Sequence, residues 1–235
     1  MKMIPHSNKL LKALKHPKPA IDYVFRVRKL SKFLPEYKQE IREFFKEAGK
    51  VRDEVEALFN PYTYGDPNLE VRLLAPSVIY SVVRAVKPEI VIETGVCNGI
   101  STYFILSAQE RNGYGMLYSI DIEETISSNR FKEEKKTGWL VPEKLKHRWN
   151  FLLGDSKEVL PGILSELKSV DIFMHDSAHT YEYMSFEFRT AWRYLRDGGV
   201  LLSDDIYLNK AFEDFIKEAN PTHISTFASL GALRK

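Results

Sequence analysis

Two acidic clusters and one glycine turn hold the side chains of this sequence that could do chemistry. Met174-His175-Asp176-Ser177-Ala178-His179-Thr180-Tyr181 sets a carboxylate and an imidazole three residues apart, and Leu202-Ser203-Asp204-Asp205 ends a short apolar run on two more carboxylates. Carboxylates crowded into one place repel unless bound protons or a cation offset their charge. A hard divalent ion such as Mg2+, its octahedron completed by water, would do so and would acidify a hydroxyl bound to it. Asp176, Asp204 and Asp205 are therefore candidate metal ligands. His179 is a candidate general base, because an imidazole titrates near neutral pH. It could equally be a fourth ligand or a hydrogen-bonding partner of the substrate. Helix caps and turns account as readily for acids that follow a strand.

The third element is Glu93-Thr94-Gly95-Val96-Cys97-Asn98-Gly99-Ile100-Ser101, directly after the apolar run Ile90-Val91-Ile92. Gly95 and Gly99 let the backbone turn sharply and approach a ligand, and the helix that follows offers free N–H groups. The spacing Glu-x-Gly-x-x-x-Gly-x-Ser differs from the Gly-x-Gly-x-x-Gly dinucleotide fingerprint. An acid beside the turn suits a ligand with a cationic amino group better than one with a pyrophosphate. Asp121 ends the next apolar run, 22 residues past Gly99. That is close to the offset of about 20 at which a carboxylate meets ribose hydroxyls in Rossmann-like sites. A third run closes on Gly154-Asp155-Ser156, where Asp155 and Ser156 read as ligand contacts, as helix caps, or as both.

Each of these clusters sits where a strand should end. Strands are predicted over 90–93, 116–122, 150–153, 170–174 and 200–203, and helices over 101–110, 158–167, 181–195 and 210–219. Strands at 223–227 and 229–234 close the chain. Such alternation implies a mostly parallel sheet covered by helices on both faces, an α/β fold with its ligand beyond the carboxyl ends of the strands. Ahead of it, apolar residues from Tyr37 to Leu58 recur at helical spacing, and 76–86 forms a second amphipathic helix; Tyr62 to Asn68 reads as a loop. Pro5, Pro17 and Pro19 imply short or broken helix in the arm. The polar stretch 123–149 reads as partly helical, and within it Phe131 to Lys146 is either a lid or an exposed charged helix. Trp139, Trp149 and Trp192 read as packing residues.

A formal charge of +2 conceals an asymmetry: residues 1–35 carry nine Lys/Arg against Asp22 alone, a charge of +8, and leave −6 for the rest. A solvated arm that packs on its own acidic domain or on a second subunit is the plainer reading; nucleic acid, an anionic membrane surface or an acidic substrate are the others. No apolar run is long enough to span a membrane, and no secretory signal is legible. Cys97 is the one cysteine, which excludes an intrachain disulfide and fits a cytoplasmic setting.

Taken in order, the motifs resemble those of class I S-adenosylmethionine-dependent methyltransferases over residues of about 70 to 235. Within that class the small O-methyltransferase-like group reads Asp-x-x-His-x-Tyr after its fourth strand, here Asp176 to Tyr181. The resemblance implies a Rossmann-like, mostly parallel seven-stranded sheet with an N-terminal helical extension, divided as residues 1–68 and 69–235. It implies S-adenosylmethionine held by Glu93, Gly95, Asn98, Gly99, Ser101, Asp121, Asp155, Ser156 and Asp176, with Asp155 at the adenine amino group. It also implies methylation of a hydroxyl on a small molecule, with Asp176 and His179 as catalytic residues. Macrocin-type sugar O-methyltransferases bind magnesium through a fourth-strand acid and an Asp-Asp pair, which maps onto Asp176, Asp204 and Asp205; the catechol-type pattern is Asp-Asn, from which Asp205 departs. Helical extensions in this family cover the substrate pocket or form homodimer contacts. The alternatives are an RNA or protein methyltransferase that uses the basic arm, and a non-catalytic nucleotide- or adenosylmethionine-binding module. The Asn-Pro-Pro-Tyr kind of motif expected in enzymes that methylate base amines does not follow the fourth strand.

Overall fold

The computed structural model describes residues 17–59, 73–126 and 134–235. Helix α1 (Pro17–Phe33), a 3-10 turn (Pro35–Tyr37), α2 (Ile41–Phe59) and α3 (Leu74–Val86) precede the first strand. Then come β1 (Ile90–Thr94), α4 (Ile100–Asn112), β2 (Met116–Asp121), a small ribbon of β3 (Thr125–Ile126) and β4 (Lys135–Lys136), a 3-10 turn (Glu143–Arg148) and β5 (Trp149–Leu153). The chain continues through α5 (Ser156–Leu167), β6 (Val170–His175), α6 (Tyr181–Tyr194), β7 (Leu195–Ser203), α7 (Ala211–Ala219), β8 (His223–Phe227) and β9 (Leu230–Arg234).

Seven strands form one sheet in the order β5-β2-β1-β6-β7-β9-β8. The first five pair in parallel, which requires a crossover between each; β9 pairs antiparallel to both β7 and β8. The chain leaves β1 toward β2 and returns to β1's other side as β6, so strand order reverses there. Carboxyl ends of strands at such a reversal leave a crevice.

Alternation along the strands builds two cores. Val91, Ile172, Met174, Val200 and Leu202 face α1 to α4, whereas Ile92, Phe173, Leu201 and Leu233 face α5 to α7. Local signals set the helix ends. Gly99 and Gly113, at φ 84° and 85°, bracket α4 in the left-handed conformation that glycine adopts without strain. Asp155 caps α5 by accepting from Lys157 N at 2.8 Å, and Thr180 caps α6 by accepting from Tyr183 N at 3.3 Å.

Three expectations change. Pro17 and Pro19 do not break the arm's helix; both lie in the first turn of α1, where a missing N–H costs nothing. The α2 helix starts at Ile41 rather than near Glu36, because Pro35 opens a 3-10 turn first. The described part of 123–149 contains a ribbon and a 3-10 turn and no α-helix. It is fastened to the glycine turn by Gly138 N to Cys97 O (2.8 Å) and Leu140 N to Asn98 O (3.2 Å), so 134–141 is clamped down as part of the fold. The loop read at Tyr62 to Asn68, the start of the arm and residues 131–133 lie outside the described residues.

Phe173 is fully buried in the middle of the sheet. Phe173→Ala should destabilise the protein by about 3–5 kcal/mol in urea unfolding, through lost burial plus the cavity left behind; a cost under about 1 kcal/mol would contradict this packing.

Candidate active site

Backbone hydrogen bonds carry the sheet one residue past its strand ends and so draw the loops together. Gly95 N donates to Ile120 O (2.8 Å), Gly154 N to Asp121 O (2.9 Å), Asp176 N to Thr94 O (2.8 Å) and Asp204 N to His175 O (2.9 Å). Around these ends lies a hollow of about 250 Å³ lined by Gly95, Cys97, Asp121, Asp155, Asp176 and Tyr183 among others. Among the described residues, three carboxylates line it and no Lys or Arg does. At Gly95 (φ 82°) a Cβ would lie 2.0 Å from Asp176 O, so only glycine lets β1 and β6 close at this point.

Of the residues singled out in the sequence, Gly95, Asp121, Asp155, Ser156 and Asp176 meet at this hollow. Asp121 also braces it: Oδ2 accepts from Val96 N (2.7 Å) and Cys97 N (3.0 Å), and Oδ1 from Glu123 N (3.0 Å). A carboxylate has about four acceptor positions, so one remains for a ribose hydroxyl. Asp155 likewise accepts from Tyr183 Oη at 2.7 Å besides capping α5, and these bonds hold its pKa below the usual range.

Seven singled-out residues do not line the hollow: His179, Asp204 and Asp205 lie beside Asp176, and Glu93, Asn98, Gly99 and Ser101 are engaged elsewhere. Glu93 is fully buried on the α4 side of β1 and accepts from Ser101 Oγ (2.6 Å), Thr102 Oγ1 (2.8 Å) and Ser119 Oγ (2.7 Å). Burial raises its pKa against those three hydroxyls. It pins α4 and β2 to β1, because pleating points it into the core; Ser101 is spent on the same bond. Asn98 accepts from Trp139 Nε1 (2.9 Å), and Gly99 abuts the backbone of Gly138.

The sequence reading missed Glu187. It is fully buried on α6, where Oε2 accepts from Thr94 Oγ1 (2.6 Å) and His175 Nδ1 (2.6 Å), and Oε1 from Ser156 Oγ (2.5 Å) and Ser177 Oγ (2.7 Å). Burial alone would raise its pKa; the hydrogen bond and charge of His175, with the Ser156 and Thr94 hydroxyls, outweigh burial and hold it below the usual value. An ionised carboxylate only accepts, so His175 Nδ1 carries the proton. The signal was present: Met184, Glu187, Phe188 and Ala191 form one helical stripe, and an acid on an apolar stripe is a buried acid.

Beside Asp176, His179 Nε2 lies 3.7 Å from Asp176 Oδ1 and 3.8 Å from Asp205 Oδ2. Burial, and then the neighbouring His175, lower the His179 pKa, which keeps its ring neutral at pH 7. Burial and the carboxylates of Asp204, Glu93 and Asp205 raise that of Asp176 well above the carboxylate range. Asp204 Oδ1 accepts from Ser229 Oγ at 2.8 Å. Three carboxylates are the donor chemistry of a hard cation. Among the described residues, however, no three His, Cys, Asp or Glu side chains converge as a ligand set.

Glu187→Ala should cost about 3–5 kcal/mol, because it strands four buried donors, one on an imidazole. The pH dependence follows from its lowered pKa. The stability Glu187 adds is complete above the unfolded value of about 4.3 and is lost as pH falls through the folded one. The acid limb of a wild-type stability–pH curve should therefore flatten in Glu187→Gln; an unchanged limb would show that Glu187 is not ionised in the folded protein.

Comparison with known proteins agrees with this geometry. Residues 92–206 match a family model described as a methyltransferase domain. No curated protein sequence matches the chain. Among solved structures, the O-methyltransferase NovP superposes with a TM-score of 0.53 at 14% identity, over 69% of this chain and 80% of its own. CalS11, a calicheamicin methyltransferase, gives 0.54 at 16%, over 83% and 92%. MycE from the mycinamycin biosynthetic pathway, solved with Mg and S-adenosylhomocysteine, gives 0.51 at 17% over 77% of this chain and 54% of its own, so this chain spans about half of MycE. At these identities the structural likeness is one of fold, and it coincides with the domain match and with the strand-end hollow. Residues 92–206 thus resemble a methyltransferase domain, and the chain shares the Rossmann-like α/β fold of these methyltransferases.

Proposed function

We propose that the protein methylates a hydroxyl of a small molecule, with a divalent cation assisting. The observation that carries this reading is the hollow itself: among the described residues, Asp121, Asp155 and Asp176 line it and no basic side chain does. Such a lining favours a sulfonium nucleoside and repels a pyrophosphate. S-adenosylmethionine, when bound, supplies a methyl group on a positively charged sulfur. Asp121 then holds the ribose through its remaining acceptor position, and Tyr183 fixes Asp155 at the adenine end. His179, held neutral, takes the proton of the acceptor hydroxyl at Nε2 as the oxygen takes the methyl; sulfur leaves as a neutral thioether. In-line placement with water excluded supplies the rest. The cation is supported by the crowding of Asp176 by Asp204 and Asp205, a charge excess that Mg2+ would offset, although these side chains do not converge as a ligand set as they stand.

Calorimetric titration should show S-adenosylhomocysteine binding and no NAD binding. Asp121→Asn should weaken the former by on the order of tenfold or more; tight NAD binding would overturn the reading. With labelled S-adenosylmethionine and a panel of hydroxylated small molecules, His179→Ala should cut turnover by about 10²–10⁴-fold with S-adenosylhomocysteine affinity kept. Chelation should lower wild-type turnover and Mg2+ restore it, whereas Asp204→Ala should bind S-adenosylhomocysteine yet gain nothing from Mg2+. Turnover indifferent to chelation would remove the cation from the scheme.

A further inference from the structure

We propose that a cleft on the N-terminal helices, separate from the hollow over the strand ends, binds a small soluble polyphosphorylated molecule. The cleft has a volume of about 560 Å³ and shares no lining residue with that hollow. Tyr23, Arg28, Ser31 and Lys32 of α1 line it, with Lys38 from the following turn and Arg42 from α2. Among the described residues, four cations therefore surround one concavity, and no carboxylate lines it.

Six arginines elsewhere are paired. Arg26, Arg84, Arg148, Arg189, Arg196 and Arg234 each sit against a carboxylate: Asp22, Glu47, Glu110, Glu218, Asp171 and Glu36 respectively. Arg28, Lys32, Lys38 and Arg42 make no salt bridge among the described residues, although Glu36, Glu40 and Glu43 are close by in sequence. Like charges gathered around a cleft raise its potential and favour an anion within it. The volume falls in the range of small-molecule sites, about 300–1,000 Å³. Guanidinium groups pair with phosphate oxygens two at a time, and lysines add point charge. Four positive charges match the several negative charges of a di- or triphosphate better than the single charge of a carboxylate. A nucleic-acid strand would call for cations spread along a track, and here they ring a pocket. Tyr23, held edge-on against Phe45 at 5.6 Å, gives the cleft one fixed aromatic side.

The test is calorimetric titration of the full chain with sodium tripolyphosphate at low salt. We expect saturable binding of one per chain that weakens as salt rises. Arg28→Ala/Arg42→Ala should weaken it about tenfold or more. Both positions are exposed, so the variant should fold, and its S-adenosylhomocysteine affinity should stay at the wild-type value. Lys32→Ala/Lys38→Ala should act in the same direction, and Arg193→Ala, an exchange on α6, should have no effect. Absence of saturable binding, or equal binding by the wild type and both double variants, would overturn the proposal. So would binding confined to a short single-stranded RNA or to phosphatidylserine vesicles, with none to tripolyphosphate.

Discussion

The strand ends of this fold are held in place by two buried carboxylates, one on each face of β1. Glu93 reaches down to α4 and β2 through three hydroxyls, and Glu187 reaches up from α6 to β1, β6 and the start of α5 through three hydroxyls and an imidazole. Burying a carboxylate costs several kcal/mol unless its lone pairs are satisfied. Satisfaction here is specific, because the donors come from the ends of β1, β2 and β6 and the starts of α4 and α5. The glycine turn, the Asp155 loop and the Asp176 loop can therefore sit only where those hydroxyls meet the two acids. Folding and site assembly are thus one event, and the loops that would grip a ligand are organised before it arrives.

That framework also sets the electrostatics of the hollow. Asp121, Asp155 and Asp176 line the hollow and the two strut acids lie buried beside it, so among the described residues the region is short of positive charge. The consequence falls on Asp176, which gathers repulsion from Asp204, Glu93 and Asp205 on top of burial. His179 faces the same acids yet stays neutral, because burial and His175 outweigh them. Its Nδ1 and the Nε2 of His175 are both buried without a hydrogen-bond partner, and the two rings meet edge to face at 5.4 Å. An imidazole so placed leaves Nε2, beside Asp176 and Asp205, as its other ring nitrogen.

The sheet was legible in the sequence because its strands are short apolar runs that stop on acids and glycines, and those stops are the loops. Which acid does what was less legible. Glu93 and Asp121 look alike in a linear motif, since both end apolar runs; only the pleat decides that Glu93 turns into the core while Asp121 turns to the crevice. Asp121 was also read as free for a ligand, whereas the turn's own N–H groups already claim most of it. Glu187 escaped notice because it lies mid-helix, far from any strand end, although its place on an apolar stripe marks it. The ribbon in 123–149 was hidden by composition: its lysines and glutamates read as a solvated helix, and what fixes it is backbone bonding to Cys97 and Asn98.

The N-terminal helices are joined to this framework at a point that bears on the acceptor side. Arg26 Nη1 donates to Phe227 O at 3.0 Å and Lys29 Nζ to Thr226 O at 2.6 Å, so α1 is bonded to the end of β8. Two residues further on, Ser229 donates to Asp204, and its carbonyl accepts from Ile206 N at 3.1 Å. A displacement of α1 would thus be passed through one short hairpin turn to the carboxylate pair beside His179. In α1 the residues that make this joint, Arg26 and Lys29, alternate with those that line the basic cleft, Arg28 and Lys32, so one helix presents one set to the catalytic domain and the other to the cleft. An anion that stiffened the outer set would stiffen the inner set as well, since both ride on the same backbone.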